Sequence, residues 1–321
     1  MSDSFRGQFA MHITNFIHFK EALGYSKSSY DKFLVHFDRF CLSTFPKETS
    51  LTKELLMNWA RLHPNENANG LKRRMVALRE FGKYLNAIGV EAYVIPSEWI
   101  GGFKPFFPYL FSDEELFAFF AAADVMTPHK LSPYRQYVVP VIFRLLYCCG
   151  LRPNEVRLIR CSDIDFETGR IHIRETKLHK ERTVAMSSDM LLLCRKYDAR
   201  MRIILKNRDY FFPHPDGAAY SASWLQEQFW KCWKNAGIRY FRETTTPRVY
   251  SFRHNYATRI LMKWVEERRD LYTWLPYLSA YMGHSEFSST AYYIHLLPER
   301  LMKTSAIEWE RFSKLIPEVP Q

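Results

Sequence analysis

The segment from Val94 to Phe111 breaks the chain in two. It carries Pro96, Gly101, Gly102, Pro105 and Pro108 with no helical period, whereas apolar residues recur at helical spacing on both sides of it. Proline removes a backbone donor and glycine loosens φ, so neither a helix nor a central strand runs through such a stretch. The segment therefore reads as a linker over 96–111, between one unit at 1–95 and a second at 112–321. At 321 residues the chain exceeds one typical domain, and each unit is long enough for its own core. The aromatics Trp99, Phe103, Phe106, Phe107 and Tyr109 predict that the linker packs on something.

Helical patterns fill the first unit. Phe9, Ile13, Phe16 and Ile17 mark the first, and Tyr30, Phe33, Leu34, Phe37, Phe40 and Cys41 mark the clearest. A third begins after Thr52, buries Leu55, Leu56, Trp59 and Leu62, and stops at Pro64; a fourth carries Leu71, Met75, Leu78, Phe81 and Leu85. A small helical bundle follows. Lys72, Arg73, Arg74, Arg79 and Lys83 fall off the last apolar stripe, as a face suited to phosphate contacts or simply a solvated one.

The second unit opens with a capping box, Ser112 and Glu115, ahead of Leu116, Phe119 and Phe120. After an apolar helix ending at Cys149 comes Gly150-Leu151-Arg152-Pro153, where Pro153 suits the first turn of a short helix through Leu158. Arg152 then sits at a helix start, where free N–H groups favour anions, with Glu155 one turn on to orient it; the plainer reading is a surface arginine. One convincing β-region follows: Ile164 and Phe166, a turn at Thr168-Gly169, Ile171 and Ile173 alternating with His172 and Arg174, and a returning strand through Val184. Its tip carries Lys177, Lys180 and Arg182, which ordinarily means solvation.

Helix resumes from Asp189, a loop spans 209–217, and Trp224, Phe229 and Trp233 read as core. Ser251 is expected to cap a helix with Phe252, Tyr256, Ile260 and Trp264 inward and Arg253 in its first turn, with His254 a structural histidine. In the segment 281–296, Gly283-His284 ends an apolar run of Leu275, Leu278 and Met282, and Tyr293 lies in a second run that Ser288, Ser289 and Thr290 can cap. Alone, a Tyr and a His at helix ends are ordinary core or surface aromatics.

A net charge of +11 and a pI near 9.3 attract polyanions, either nucleic acid or an anionic membrane. No apolar run approaches the roughly 18–20 residues of a spanning helix. Asp3 and Arg6 stand where a signal peptide needs an apolar core. The expectation is a soluble, cytoplasmic protein with no membrane partner. The six cysteines form no C-x-x-C pair and no zinc-like spacing with histidine, so they are expected to be reduced.

GLRPNEV at 150–156, ETKLHKER at 175–182, VYSFRHNYATR at 249–259 and YMGHSEFSSTAYYIHL at 281–296 occur in an order that resembles the tyrosine recombinase (phage integrase) family. The resemblance implies a mainly α fold with a small β-hairpin or sheet: an N-terminal helical core-binding (SAM-like) bundle that clamps DNA, then a catalytic domain. It assigns catalysis to Arg152, Lys177, Arg253, His284 and Tyr293, with Glu155 at a commonly acidic position and Lys180 and Arg182 as supporting charges. One position departs: three residues before Arg253 the family usually holds His, sometimes Lys, and here it is Tyr250. The implied activity is site-specific strand exchange on double-stranded DNA through a 3′-phosphotyrosine, by a tetramer on two DNA sites, with no metal or cofactor. A type IB topoisomerase-like activity and a non-catalytic DNA-binding relative are the alternatives. Leu301, Met302, Ile307, Trp309 and Phe312 give the tail an apolar face that could dock on its own domain or on a neighbouring subunit.

Overall fold

A computed structural model describes residues 5–61, 63, 66–100, 107–174, 181–239 and 245–296. The chain divides into two compact units between residues 106 and 107, inside the segment read as a linker.

The first unit is helical: α1 (Ala10–Ala22), α2 (Asp31–Thr44), α3 (Lys53–Trp59), α4 (Ala68–Ala87) and a short α5 (Ser97–Ile100). The starts of α3 and α4 are set by side-chain caps, Thr52 accepting from the Leu55 N–H and Asn67 from the Gly70 N–H. The apolar stripes expected of these helices meet in one core that includes Phe16, Phe37, Trp59, Leu78 and Phe81. Leu62 and Pro64 lie outside the described residues. At the start of the segment read as a linker, 97–100 is helical and Ile100 is buried in this core.

The basic face of α4 is smaller than expected. Arg74 points inward, its guanidinium over the Trp59 ring and bonded to Trp59 O, to Arg61 O and to the Glu66 carboxylate. It extends the stripe of Leu71, Met75 and Leu78, a place an arginine can occupy when each of its three nitrogens is hydrogen-bonded. Arg79 donates to Ile95 O, and Lys83 pairs with Glu80. Arg73 and Lys83 are exposed, whereas Lys72 is half-buried.

The second unit runs α6 (Asp113–Asp124), α7 (Arg135–Cys149), α8 (Pro153–Leu158), three strands, α9 (Ser188–Ile204), α10 (Ala222–Asn235), α11 (Ser251–Glu266), α12 (Leu271–Met282) and α13 (Ser288–Ala291), which continues as a 3-10 turn over Tyr292–Leu296. The Ser112–Glu115 capping box is present. Strands β1 (Ile164–Asp165), β2 (Arg170–Ile173) and β3 (Arg182–Ala185) form an antiparallel sheet in that order, with Ile171 paired to Val184 on the buried side. The hairpin tip at 175–180, with Lys177 and Lys180, lies outside the described residues.

Phe252 fixes the start of α11. It is fully buried, with ring centroids 4.8 Å from Phe111, 5.2 Å from Phe119 and 5.8 Å from Phe143. Truncating such a residue costs about 3–5 kcal/mol, so the residue after it, Arg253, is held by packing it does not itself make. Two capping expectations fail. Ser251 is the first residue of α11 and its hydroxyl accepts from the Arg248 N–H, while Ser288, Ser289 and Thr290 lie within α13. All six cysteines are unpaired thiols, and no helix among the described residues is long and apolar enough to cross a membrane.

Candidate active site

The site begins at the ends of two helices. α7 stops at Gly150 and α12 stops at Gly283, both in the left-handed region with φ of 60° and 63°. Gly150 is required on a second ground, since a Cβ there would stand 2.4 Å from Tyr256 Cδ1. Carbonyls at helix C-termini carry partial negative charge and lack intrahelical partners. Here three guanidinium groups take them up.

Arg253 donates from Nη1 to Gly150 O at 2.7 Å and from Nη2 to Met282 O at 2.5 Å. Arg152, at the N-cap of α8, donates from Nη2 to Gly283 O at 2.6 Å. Arg182, the first residue of β3, donates from Nε to Tyr281 O at 2.8 Å. One carboxylate balances part of this charge. Glu155 accepts from Arg152 Nη1 at 2.7 Å and from both terminal nitrogens of Arg182 at 2.8 Å, and its Oε2 also takes the Arg152 backbone N–H at 2.8 Å. Burial alone would raise its pKa, but the bonds and charges of Arg182 and Arg152 outweigh burial and hold it down at about 2.

Above these arginines lies a cavity of about 420 Å³, lined by Arg152, Tyr250, His254, His284, Ser285, Ser289, Tyr292 and Tyr293. Tyr293 is 3% exposed, and its hydroxyl lies 3.1 Å from Nδ1 of His254. Burial raises its phenol above the usual range, although Arg253 and Arg152 act in the opposite sense. His284 follows Gly283 directly; its Nδ1 lies 2.7 Å from Thr290 Oγ1, and its ring is nearly parallel to that of Tyr293. Burial and the surrounding arginines push the pKa of His284 down to about 3, and burial and Arg253 push that of His254 down to about 4. Both imidazoles are neutral near pH 7, so the positive charge of the site belongs to arginine.

The structure thus brings together Arg152, Tyr250, Arg253, His284 and Tyr293 from segments far apart in sequence. Lys177 lies outside the described residues. Arg253 is fully enclosed beneath the cavity, and its Nε has no partner among the described residues. Tyr250 is more open, at 38% exposure, with its ring 5.0 Å from that of His254. From sequence, Arg182 reads only as a supporting charge and His254 only as a structural histidine. Arg182 is the inner partner of Glu155, and His254 faces the phenol. A signal for His254 did exist, because i and i+4 share a helix face and Tyr250 was already a candidate.

A basic, half-closed cavity with a buried phenol on its wall can hold an anion and present one oxygen nucleophile to it. Among the described residues no group of His, Cys, Asp and Glu is arranged to hold a metal ion.

Comparison with known proteins agrees with this geometry. The profile of the phage integrase family matches residues 114–300. A protein named as a putative integrase/recombinase, y4rB of Sinorhizobium fredii, is 29% identical over 315 residues, covering 94% of this chain and 97% of the relative. The tyrosine recombinase XerC of Chlamydia caviae is 27% identical over 241 residues, covering 73% and 70%. Among solved structures, XerH site-specific recombinase bound to a palindromic difH substrate in a post-cleavage complex superposes with a TM-score of 0.66 at 19% identity, over 88% of this chain and 80% of that one. The last match is one of fold alone, but the family profile spans more than half of the 321 residues and contains Arg152, Tyr250, Arg253, His284 and Tyr293. The chain belongs to the phage integrase family, the tyrosine-type site-specific DNA recombinases.

Proposed function

We propose that the site cleaves and rejoins double-stranded DNA through Tyr293, as part of a tetramer acting on two DNA sites. Tyr293 Oη attacks the scissile phosphorus, the P–O5′ bond breaks, and a 3′-phosphotyrosine conserves the bond energy for rejoining to another 5′-hydroxyl. Arg152, the more accessible arginine, contacts the non-bridging oxygens. Arg253 adds its charge from beneath, and its Nε, which has no partner among the described residues, is the donor left for a phosphate oxygen. With Thr290 Oγ1 donating to Nδ1, His284 keeps its proton on Nε2 and donates to the phosphate, and Tyr250 donates its phenolic proton. Lys177 protonates the leaving 5′-oxygen. Arg73 and Lys83 of the first unit contribute phosphate contacts. The tetramer follows from stoichiometry: exchange between two duplexes cuts four strands, and each chain offers one Tyr293.

The observation that carries this reading is the convergence of Arg152, Tyr250, Arg253 and His284 around one buried phenol. A non-catalytic binder would have no use for that phenol. The test is covalent trapping on nicked duplexes cut from the flanks of the chain's own gene, for wild type, Tyr293→Phe and Tyr292→Phe. Adducts with wild type and Tyr292→Phe but not Tyr293→Phe are expected. Adducts that persist in Tyr293→Phe would remove Tyr293 as nucleophile, and no adduct from the wild-type protein would overturn the catalytic reading.

A further inference from the structure

The position three residues before Arg253 lacks an imidazole in this chain, yet the cavity does not. His254 lies one helical turn after Tyr250 on α11 and lines the same cavity, with Nδ1 3.1 Å from the hydroxyl of Tyr293. Resting on the reading above, we propose that His254 is a further catalytic residue, the group that takes the proton from Tyr293 as it attacks and returns it when the strand is rejoined.

Elimination supports the assignment. A base on Tyr293 needs a nitrogen or oxygen lone pair within hydrogen-bond reach of its hydroxyl. Arg152 and Arg253 carry only N–H donors and offer no acceptor. His284 has Nδ1 engaged with Thr290 Oγ1. Ser285, Ser289, Tyr250 and Tyr292 carry hydroxyls, which are poor bases near neutrality. Among the described residues of the cavity, His254 alone places a ring nitrogen within hydrogen-bond reach of the nucleophile, and with the other ring nitrogen protonated Nδ1 accepts from it.

The proton inventory closes in both directions. In cleavage the Tyr293 O–H proton passes to His254 Nδ1, the Oη–P bond forms, the P–O5′ bond breaks, and the 5′-oxygen takes a proton from Lys177. In rejoining, the 5′-hydroxyl gives its proton back to Lys177 and bonds to phosphorus, the Oη–P bond breaks, and His254 returns its proton to Oη.

The groups facing His254 determine when the transfer occurs. Burial and Arg253 hold its basicity low, with Arg152 and His284 nearby and the phenols of Tyr250 and Tyr293 against its ring. In this setting the phenol keeps its proton. A bound phosphodiester brings negative charge against the arginines and so favours the imidazolium. Bond formation to phosphorus acidifies the tyrosine oxygen at the same moment. The proton therefore moves with bond formation and not before it, which keeps the nucleophile uncharged until DNA is engaged.

The experiment is single-turnover adduct formation on a nicked duplex that wild type traps, using the full chain as wild type, His254→Ala and His254→Asn, each also with a ring-fluorinated tyrosine at position 293. The Asn amide oxygen occupies nearly the place of Nδ1 and accepts a hydrogen bond, but it takes up no proton. Both variants should bind DNA as wild type does and cleave roughly 10²–10⁴-fold more slowly, the range for a lost general base. The fluorinated tyrosine, whose phenol ionises more readily, should recover much of the rate in both variants and change wild type little. If His254→Asn cleaves at the wild-type rate, His254 only orients the phenol and the proposal fails. Wild-type cleavage by His254→Ala, or slow variants that the fluorinated tyrosine does not rescue, overturns it as well. Should His254→Ala fail to fold, the near-isosteric Asn variant carries the test. Absence of any wild-type adduct would instead overturn the recombinase reading itself, with this proposal falling alongside it.

Discussion

Glu155 accepts both terminal nitrogens of Arg182 at 2.8 Å, across the gap between helix α8 and strand β3. The pair is nearly closed to solvent, with side-chain exposures of 4% and 9%, so neither charge has water to fall back on. The same carboxylate holds Arg152, which links the hairpin strand to the cavity through a single side chain.

A pH-dependent stability follows from that link. The folded pKa of Glu155, about 2, lies below the 4.5 of a free glutamate. A depressed carboxylate stabilises the fold fully above its unfolded pKa, and that stabilisation is lost as pH falls through the folded value. The shift corresponds to about 3 kcal/mol. Glu155→Gln should be destabilised at pH 7, with the gap to wild type shrinking as pH falls from about 4.5 towards about 2. Denaturant melts of both proteins at stepped pH check this; a gap that does not change with pH would mean that Glu155 is not held ionised by its arginines.

Gly150→Ala should destabilise by more than about 2 kcal/mol, adding the strain of left-handed backbone to a clash with Tyr256. Gly217→Ala is the control: its φ is +85° but nothing lies within 4 Å of the added carbon, so only the strain of about 1–2 kcal/mol is expected. Equal losses in the two variants would show that the Tyr256 ring yields freely.

Tyr250→Phe should slow single-turnover cleavage by roughly 10²–10³-fold if the phenol donates to the phosphate in the transition state. Folding should be unaffected, since 38% of the residue is exposed. Tyr250→His should retain activity. A wild-type rate for Tyr250→Phe would reduce the ring to packing.

DNA binding should depend steeply on salt. Replacing Arg73 and Lys83 by Gln should flatten the log–log slope by about 0.9 for each phosphate that is no longer neutralised. Arg74→Gln should act differently, lowering the stability of the first unit, because its donors serve Glu66 and two main-chain carbonyls. An unchanged slope in the double variant would exclude this face of α4 from the DNA.

Lys177→Ala should cleave ordinary DNA very slowly yet recover on DNA whose 5′-bridging oxygen is sulfur, a leaving group that needs no proton. Arg152→Ala should not recover. If both fail equally on the sulfur substrate, Lys177 is not the acid.

Local rules read the local parts of this protein well. Ser112 and Glu115 cap α6, Pro153 opens α8, Gly150 and Gly283 end their helices, and Ile171 and Ile173 mark the buried side of a strand. Each depends on residues within a turn or two of one another. What stayed hidden depends on distance or on pairing. Arg74 looked solvent-facing because periodicity treats every charge as outward, and only Glu66 and the carbonyls of Trp59 and Arg61 make its burial tolerable. His254 meets Tyr293 across 39 residues of sequence, and Arg182 meets Glu155 across 27, separations at which side-chain pattern carries no information. The enclosure of Arg253 was equally unreadable, since the oxygens that receive it belong to the backbone.

The enclosure of Arg253 by backbone oxygens sets how the site tolerates change. Gly150 O, Tyr281 O, Met282 O and Gly283 O receive the three arginines, and a carbonyl is common to all twenty amino acids. Substitution at Tyr281 or Met282 can therefore alter the side chain without erasing the acceptor, provided the helix still ends at the same residue. The cationic floor is addressed to a shape of the chain more than to its lettering, so away from Gly150 and Gly283 the side chains around it can change while the guanidinium groups keep their places.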